Sequence, residues 1–152
     1  MNMKDERQFV GYSKYRSRLV DGHVHTELCP HGSGDRTALM IEKAIELRIE
    51  KVCLTEHAPL PKAFAVEYGG DQKAYDTASL KLNQVDTYLE LGRQLQRAYG
   101  THIDISLGFE VDYIPGFETD IQEFLDRYGP LTDDNILSVH FMEGVNNAFY
   151  CL

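Results

Sequence analysis

The sequence predicts an α/β fold in which strands alternate with helices, in the form of about half of a (βα) barrel. Two patterns carry that reading. Apolar residues recur alternately at strand spacing and at helix spacing along the chain, and one strand sorts apolar from small and polar side chains onto opposite faces. A further observation gives the fold a purpose, because four strands end in a side chain able to bind a metal: His25, His57, Glu110 and His140.

Residues 1–18 are polar and basic and read as an extension ahead of the folded part, 19–152. The first strand is expected over Leu19–His25, and the Gly- and Pro-bearing stretch Cys29-Pro30-His31-Gly32-Ser33-Gly34 is a loop. Asp35 stands at an N-cap position before Met40, Ile41, Ala44 and Ile45, whose spacing predicts a helix over 36–48. Lys51–Thr55 is β-rich and runs into Glu56-His57, after which Ala58-Pro59-Leu60-Pro61 stops any regular element. From Pro59 to Asp76 a long loop is expected, placed near the site. Val85, Tyr88, Leu91, Leu95 and Ala98 mark a helix over Tyr75–Tyr99, with Gly100 placed to close it in the left-handed conformation. Ile103, Ile105, Leu107 and Phe109 alternate with Asp104, Ser106, Gly108 and Glu110, a third strand. Phe117, Ile121, Phe124, Leu125 and Tyr128 give a third helix, ended by Gly129-Pro130, and Ile136–His140 is the fourth strand.

The third strand favours a barrel over an open sheet. Leu107 and Phe109 would pack outward on helices, while Ser106, Gly108 and Glu110 face the interior. A complete eight-unit barrel takes about 250 residues, so 152 residues with four strands amount to roughly half of one. The apolar run Ala148–Leu152 has no terminator after it, and the expectation is an N-terminal portion of a longer protein.

Composition narrows the function. At 43% hydrophobic and 26% charged residues the chain is ordinary soluble material, and no apolar run is long enough to span a membrane. Fifteen Lys and Arg against twenty-four Asp and Glu leave a net charge of −9, which repels a phosphate backbone and argues against a nucleic-acid partner. Three cysteines without a C-x-x-C pair form neither a disulfide framework nor a thiolate zinc knuckle, and suit the cytoplasm.

In (βα) folds the C-terminal strand ends converge on one face, so distant ligands can meet there. His23 and His25, two apart on a strand, point to the same side, and His31 joins them from the loop. Imidazole and carboxylate donors without thiolates suit a catalytic Zn, Mn or Fe centre better than a structural zinc. Any one of these residues alone would be read as structural; five of the six histidines gathered with Glu110 at strand ends favour metal. His102 lies at the opposite end of its strand and receives no role, and Cys29 reads as a small loop side chain. Glu56, beside His57 but facing away, reads as a supporting carboxylate. No Walker or dinucleotide phosphate loop and no G-x-S-x-G elbow occurs.

His23-Val24-His25-Thr26, His31, Thr55-Glu56-His57, Gly108-Phe109-Glu110 and Ser138-Val139-His140 resemble, in order and spacing, the metal motifs of the polymerase-and-histidinol-phosphatase (PHP) superfamily. Cys29–Ser33, Thr55–Pro61, Glu110–Glu118 and Asn135–Phe141 narrow the resemblance to its monofunctional histidinol-phosphate phosphatases. The resemblance implies the N-terminal half of a distorted (βα)7 barrel and a site for up to three divalent ions. It implies hydrolysis of L-histidinol phosphate, a small-molecule phosphate ester of histidine biosynthesis, by a metal-bound hydroxide, with Glu110 and His140 catalytic. His23 and His25 would hold one ion, Glu110 would bridge it to a second that His140 also binds, and His31 and His57 would hold the third. A further histidine, an Asp-x-His pair and phosphate-binding arginines, which family members draw from the second half of the barrel, have no counterpart here. Two alternatives stand beside the phosphatase: a non-catalytic or assembly-dependent metal-binding fragment, and a PHP-type exonuclease, against which the net charge of −9 counts. The oligomeric state is left open.

Overall fold

Four strands in sequential order make a parallel sheet, the arrangement that repeated strand–helix crossovers produce. The structure is a computed structural model and describes residues 19–68, 72–143 and 149–151; the polar extension 1–18 lies outside the described residues. The strands are β1 (Val20–Val24), β2 (Lys51–His57), β3 (Asp104–Asp112) and β4 (Ile136–Ser138), and β5 (Phe141–Glu143) pairs antiparallel with β6 (Phe149–Cys151). The helices are α1 (Thr37–Glu46), α2 (Phe64–Glu67), α3 (Gln72–Thr77), α4 (Val85–Tyr99) and α5 (Glu118–Tyr128).

The β2–β3 ladder runs without a break from Lys51↔Asp104 to His57↔Glu110, which sets the last two side by side. β1 joins β2 with a register shift between Asp21 and Val24, beside His23, the kind of irregularity that re-aims side chains next to sites. Outward-facing Leu54, Leu107 and Phe109 pack with Ile41, Tyr88, Leu89 and Leu95 of the helices in the main core. Tyr88 ties that core to the sheet: its hydroxyl donates to the Gly108 carbonyl (2.6 Å), lies 3.0 Å from the Leu54 carbonyl and accepts from the Glu56 N–H (3.3 Å). A smaller aromatic cluster of Phe64, Ile114, Phe117, Phe141 and Phe149 fastens the β5–β6 pair to α2 and the β3–α5 loop. Gly108 is required by a close approach, since a Cβ there would stand 1.6 Å from the Asp134 carbonyl oxygen.

Several elements differ from the sequence expectation for physical reasons. The predicted helix Tyr75–Tyr99 is divided, because Leu80 is buried and its N–H donates to the His57 carbonyl (3.2 Å); α4 starts only at Val85. The predicted loop from Pro59 holds α2 and α3. Asp35 does not cap α1. It accepts from the Ser33 hydroxyl, while the Glu27 carboxylate reaches across to take the Thr37 N–H (2.6 Å) and the Thr37 hydroxyl. Gly100 is right-handed (φ −61°), so α4 does not end in a left-handed cap. β3 continues to Asp112 because β4 pairs with its end, and β4 stops at Ser138, before His140.

Candidate metal centre

Glu110 stands at the centre of the C-terminal face of the sheet with its side chain 2% exposed. Four imidazole nitrogens surround its carboxylate: His23 Nε2 at 2.9 Å, His57 Nδ1 at 3.1 Å, His25 Nε2 at 3.4 Å and His140 Nε2 at 3.4 Å. His31 completes the ring of imidazoles, its centroid 5.0 Å from that of His57, which stacks at 4.3 Å on His25. All six candidates named from the sequence therefore meet in one place. They line a cavity of about 430 Å³, one wall of which is Ala74, Thr77 and Ala78 of the α3 region. Of these, Ala74 belongs to the 59–76 segment expected near the site, whereas Thr77 and Ala78 lie just beyond it. His102 is exposed at the other end of β3, as expected.

Each of three rings is held from behind. His25 Nδ1 lies 3.2 Å from Glu56 Oε1, His31 Nδ1 lies 2.8 Å from the Thr77 carbonyl, and His140 Nδ1 lies 2.9 Å from Asp112 Oδ1. Such contacts anchor each ring through Nδ1 and fix its orientation. Glu56 is fully buried and also accepts the Thr26 N–H (2.9 Å) and hydroxyl (2.7 Å), which confirms its supporting place.

Electrostatics hold the Glu56 and Glu110 carboxylates ionised and His57 neutral, while His25 is shifted toward its protonated form. Burial alone would raise the Glu56 carboxyl, but the hydrogen bonds from His25 and Thr26 outweigh it and hold the group below its usual range. The same contest, burial against the His23 hydrogen bond and the neighbouring imidazoles, leaves Glu110 lowered. The hydrogen bond to Glu56 raises His25 against its own burial. His57 moves the other way, pushed down to about 4 by burial and then by His25, so it is neutral near neutral pH.

The donors fit divalent cations. His57 Nδ1 is buried without a hydrogen-bond partner among the described residues, although Glu110 is near; a buried nitrogen left in that state is what a bound cation satisfies. Ligand atoms of His23, His25 and Glu110, of His57, Asp112 and His140, and of His25, Cys29 and His57 lie within 4.8 Å of one another in each group. Two members of these groups were not singled out in the sequence as ligands. Cys29, read as a small loop side chain, is indeed buried in the loop but stands beside two of the imidazoles. Asp112 was missed; its signal is its place two residues beyond Glu110, on the same face of β3.

The PHP domain family model matches residues 21–151. The chain belongs to the PHP domain family. It is 39% identical over 132 residues to the histidinol-phosphatase of Bacillus subtilis, a match covering 87% of this chain and 47% of that protein. A crystal structure from Listeria monocytogenes, provisionally named a histidinol phosphatase, superposes with a TM-score of 0.84 at 42% identity, over 87% of this chain and 48% of that one. The histidinol phosphate phosphatase of Lactococcus lactis, solved with Zn, L-histidinol and phosphate, superposes with a TM-score of 0.63 at 25% identity, over 82% of this chain and 41% of that one. This PHP chain thus spans about half the length of the relatives it matches, and its parallel sheet with flanking helices is a partial PHP barrel. Among the described residues no helix is long and apolar enough to cross a membrane.

Proposed function

We propose that this PHP chain carries the metal site of a phosphoric monoester hydrolase acting on L-histidinol phosphate, in histidine biosynthesis and in the cytoplasm. The observation that carries the reading is one buried carboxylate, Glu110, with four imidazole nitrogens within 3.4 Å. His23, His25, Glu110 and His140, with His31 and His57 beside them, would hold the divalent cations; Zn, Mn and Fe suit these donors. Such cations supply Lewis acidity toward the phosphate ester and make a nucleophile available from water near neutral pH. The protein's own share is positional. Glu56, the Thr77 carbonyl and Asp112 keep Nε2 of three rings turned inward, and the cavity beside α3 is wide enough to take a small phosphate ester. The names of the relatives, all histidinol phosphatases, support this substrate over a nucleic acid.

One observation favours a second reading, metal binding without turnover until a complementary chain closes the sheet. Leu137 (68%) and Val139 (52%) are exposed at the β4 side, and Leu19 (56%) and Val20 (51%) at the β1 side. Phosphate release from L-histidinol phosphate, with added Zn or Mn and with chelator, separates the two when metal content is measured in parallel. Chelator-sensitive release supports the phosphatase. Bound metal without release favours the second reading, absence of bound metal overturns both, and faster cleavage of single-stranded DNA would bring back the exonuclease.

A further inference from the structure

We infer that Asp112 is a positioning residue, whose Oδ1 fixes the backbone and the tautomer of His140 so that Nε2 is the nitrogen offered to metal. The inference rests on the metal reading above. Parallel pairing sets Asp112 opposite Ser138, at the point where β4 ends. Beyond it the ladder gives way to the Asp112 side chain. Its Oδ1 accepts the His140 N–H at 3.0 Å, lies 2.9 Å from His140 Nδ1, and accepts the Ser138 hydroxyl at 3.3 Å. A carboxylate oxygen accepts and does not donate, so the proton of that contact sits on Nδ1. The lone pair is then on Nε2, the atom 3.4 Å from Glu110 Oε1. Asp112 is buried, which leaves water little room to take over if the side chain is removed. One oxygen thus does for the edge of the sheet what further ladder pairing would do, and it passes that rigidity to the ring.

The competing role is direct ligation, since ligand atoms of His57, Asp112 and His140 lie within 4.8 Å of one another. Oδ1 already meets three donors from Ser138 and His140, so direct ligation would fall to Oδ2, and the test below separates the two roles.

The test uses the full chain, ¹⁵N-labelled and metal-free, at a pH where its imidazoles are neutral. Long-range ¹H–¹⁵N correlations, assigned to His140 by their loss in His140→Gln, report which ring nitrogen is protonated. The wild type is expected to show Nδ1–H, Asp112→Ala to shift toward Nε2–H, and Asp112→Asn, which keeps an acceptor oxygen, to retain Nδ1–H. Competition titration with Zn gives the second readout: Asp112→Ala is expected to bind about 10–100-fold more weakly, with a smaller loss in Asp112→Asn. An Nε2–H wild type, or an unchanged tautomer in Asp112→Ala, overturns the inference. So does an Asp112→Asn protein that loses Zn as completely as His140→Gln with its tautomer intact, the signature of a ligand. Should Asp112→Ala fail to fold, the near-isosteric Asp112→Asn still decides between the two roles. A wild type that binds no Zn sinks the metal reading itself, whereas normal Zn binding with the wrong tautomer sinks Asp112 alone.

Discussion

Replacing His57 by Gln should flatten the acid side of the stability profile of the metal-free protein. His57 is 7% exposed, and burial followed by the nearby His25 pushes its pKa from 6.5 to about 4. The unfolded chain therefore takes up a proton at this position before the folded one does. As pH falls from 6.5 toward 4 the unfolded state is increasingly favoured, and below about 4 the effect levels off. At about 1.4 kcal/mol per pKa unit the whole shift corresponds to about 3 kcal/mol. The ring borders an open, water-accessible cavity that screens it, so about half, ~1.5 kcal/mol, is the expected size. His25 acts with the opposite sign: its raised pKa adds stability at low pH that is lost as pH rises through the folded value. The lowered Glu56 and Glu110 cost stability only as pH drops through their own folded values, beneath 4.5. Comparison of wild type with His57→Gln by urea unfolding, in chelator and at steps from pH 6.5 to 4, reads the contribution of His57 together with its coupling to His25 and Glu110. Equal losses in the two proteins over that interval would refute the reasoning.

Tyr88→Phe removes the hydroxyl that meets the Gly108 and Leu54 carbonyls, and should destabilise by about 1–3 kcal/mol in urea melts with little change in slope. Phe64 is fully buried against Phe117, Phe141 and Phe149, with ring centroids 5.0–5.2 Å away. Phe64→Ala should cost about 3–5 kcal/mol, and hydrogen exchange should quicken first in β5, β6 and α2. Saturating Zn should raise the melting temperature: at a hundred times Kd the stabilisation is about 2.7 kcal/mol, or roughly 5–10 °C for a chain of this size, reversed by chelator. A melting curve indifferent to both Zn and chelator would count against the metal site.

The sequence by itself determined the order of the main elements and named six candidate residues that the fold brings together. Period-two alternation in Ile103–Glu110 and helical spacing in Val85–Ala98 are local signals, written in consecutive residues, and the structure has β3 and α4 there. The site was legible because parallel strands deliver their C-terminal ends to one face, so His25, His57, Glu110 and His140 could be gathered by position alone. What only the tertiary structure decided are pairings between residues distant in the chain. Leu80 is drawn to the His57 carbonyl and cuts a helix that periodicity would have continued, and Glu27 replaces Asp35 at the head of α1. Asp112 lies beyond the end of the strand expected from the sequence, and only the pairing with β4 sets Ser138 and His140 against it. The physical reason is common to all of these. Helix and strand periodicities reflect which face of an element is buried, which neighbouring residues encode, whereas a hydrogen bond across the fold depends on where the sheet brings its partner.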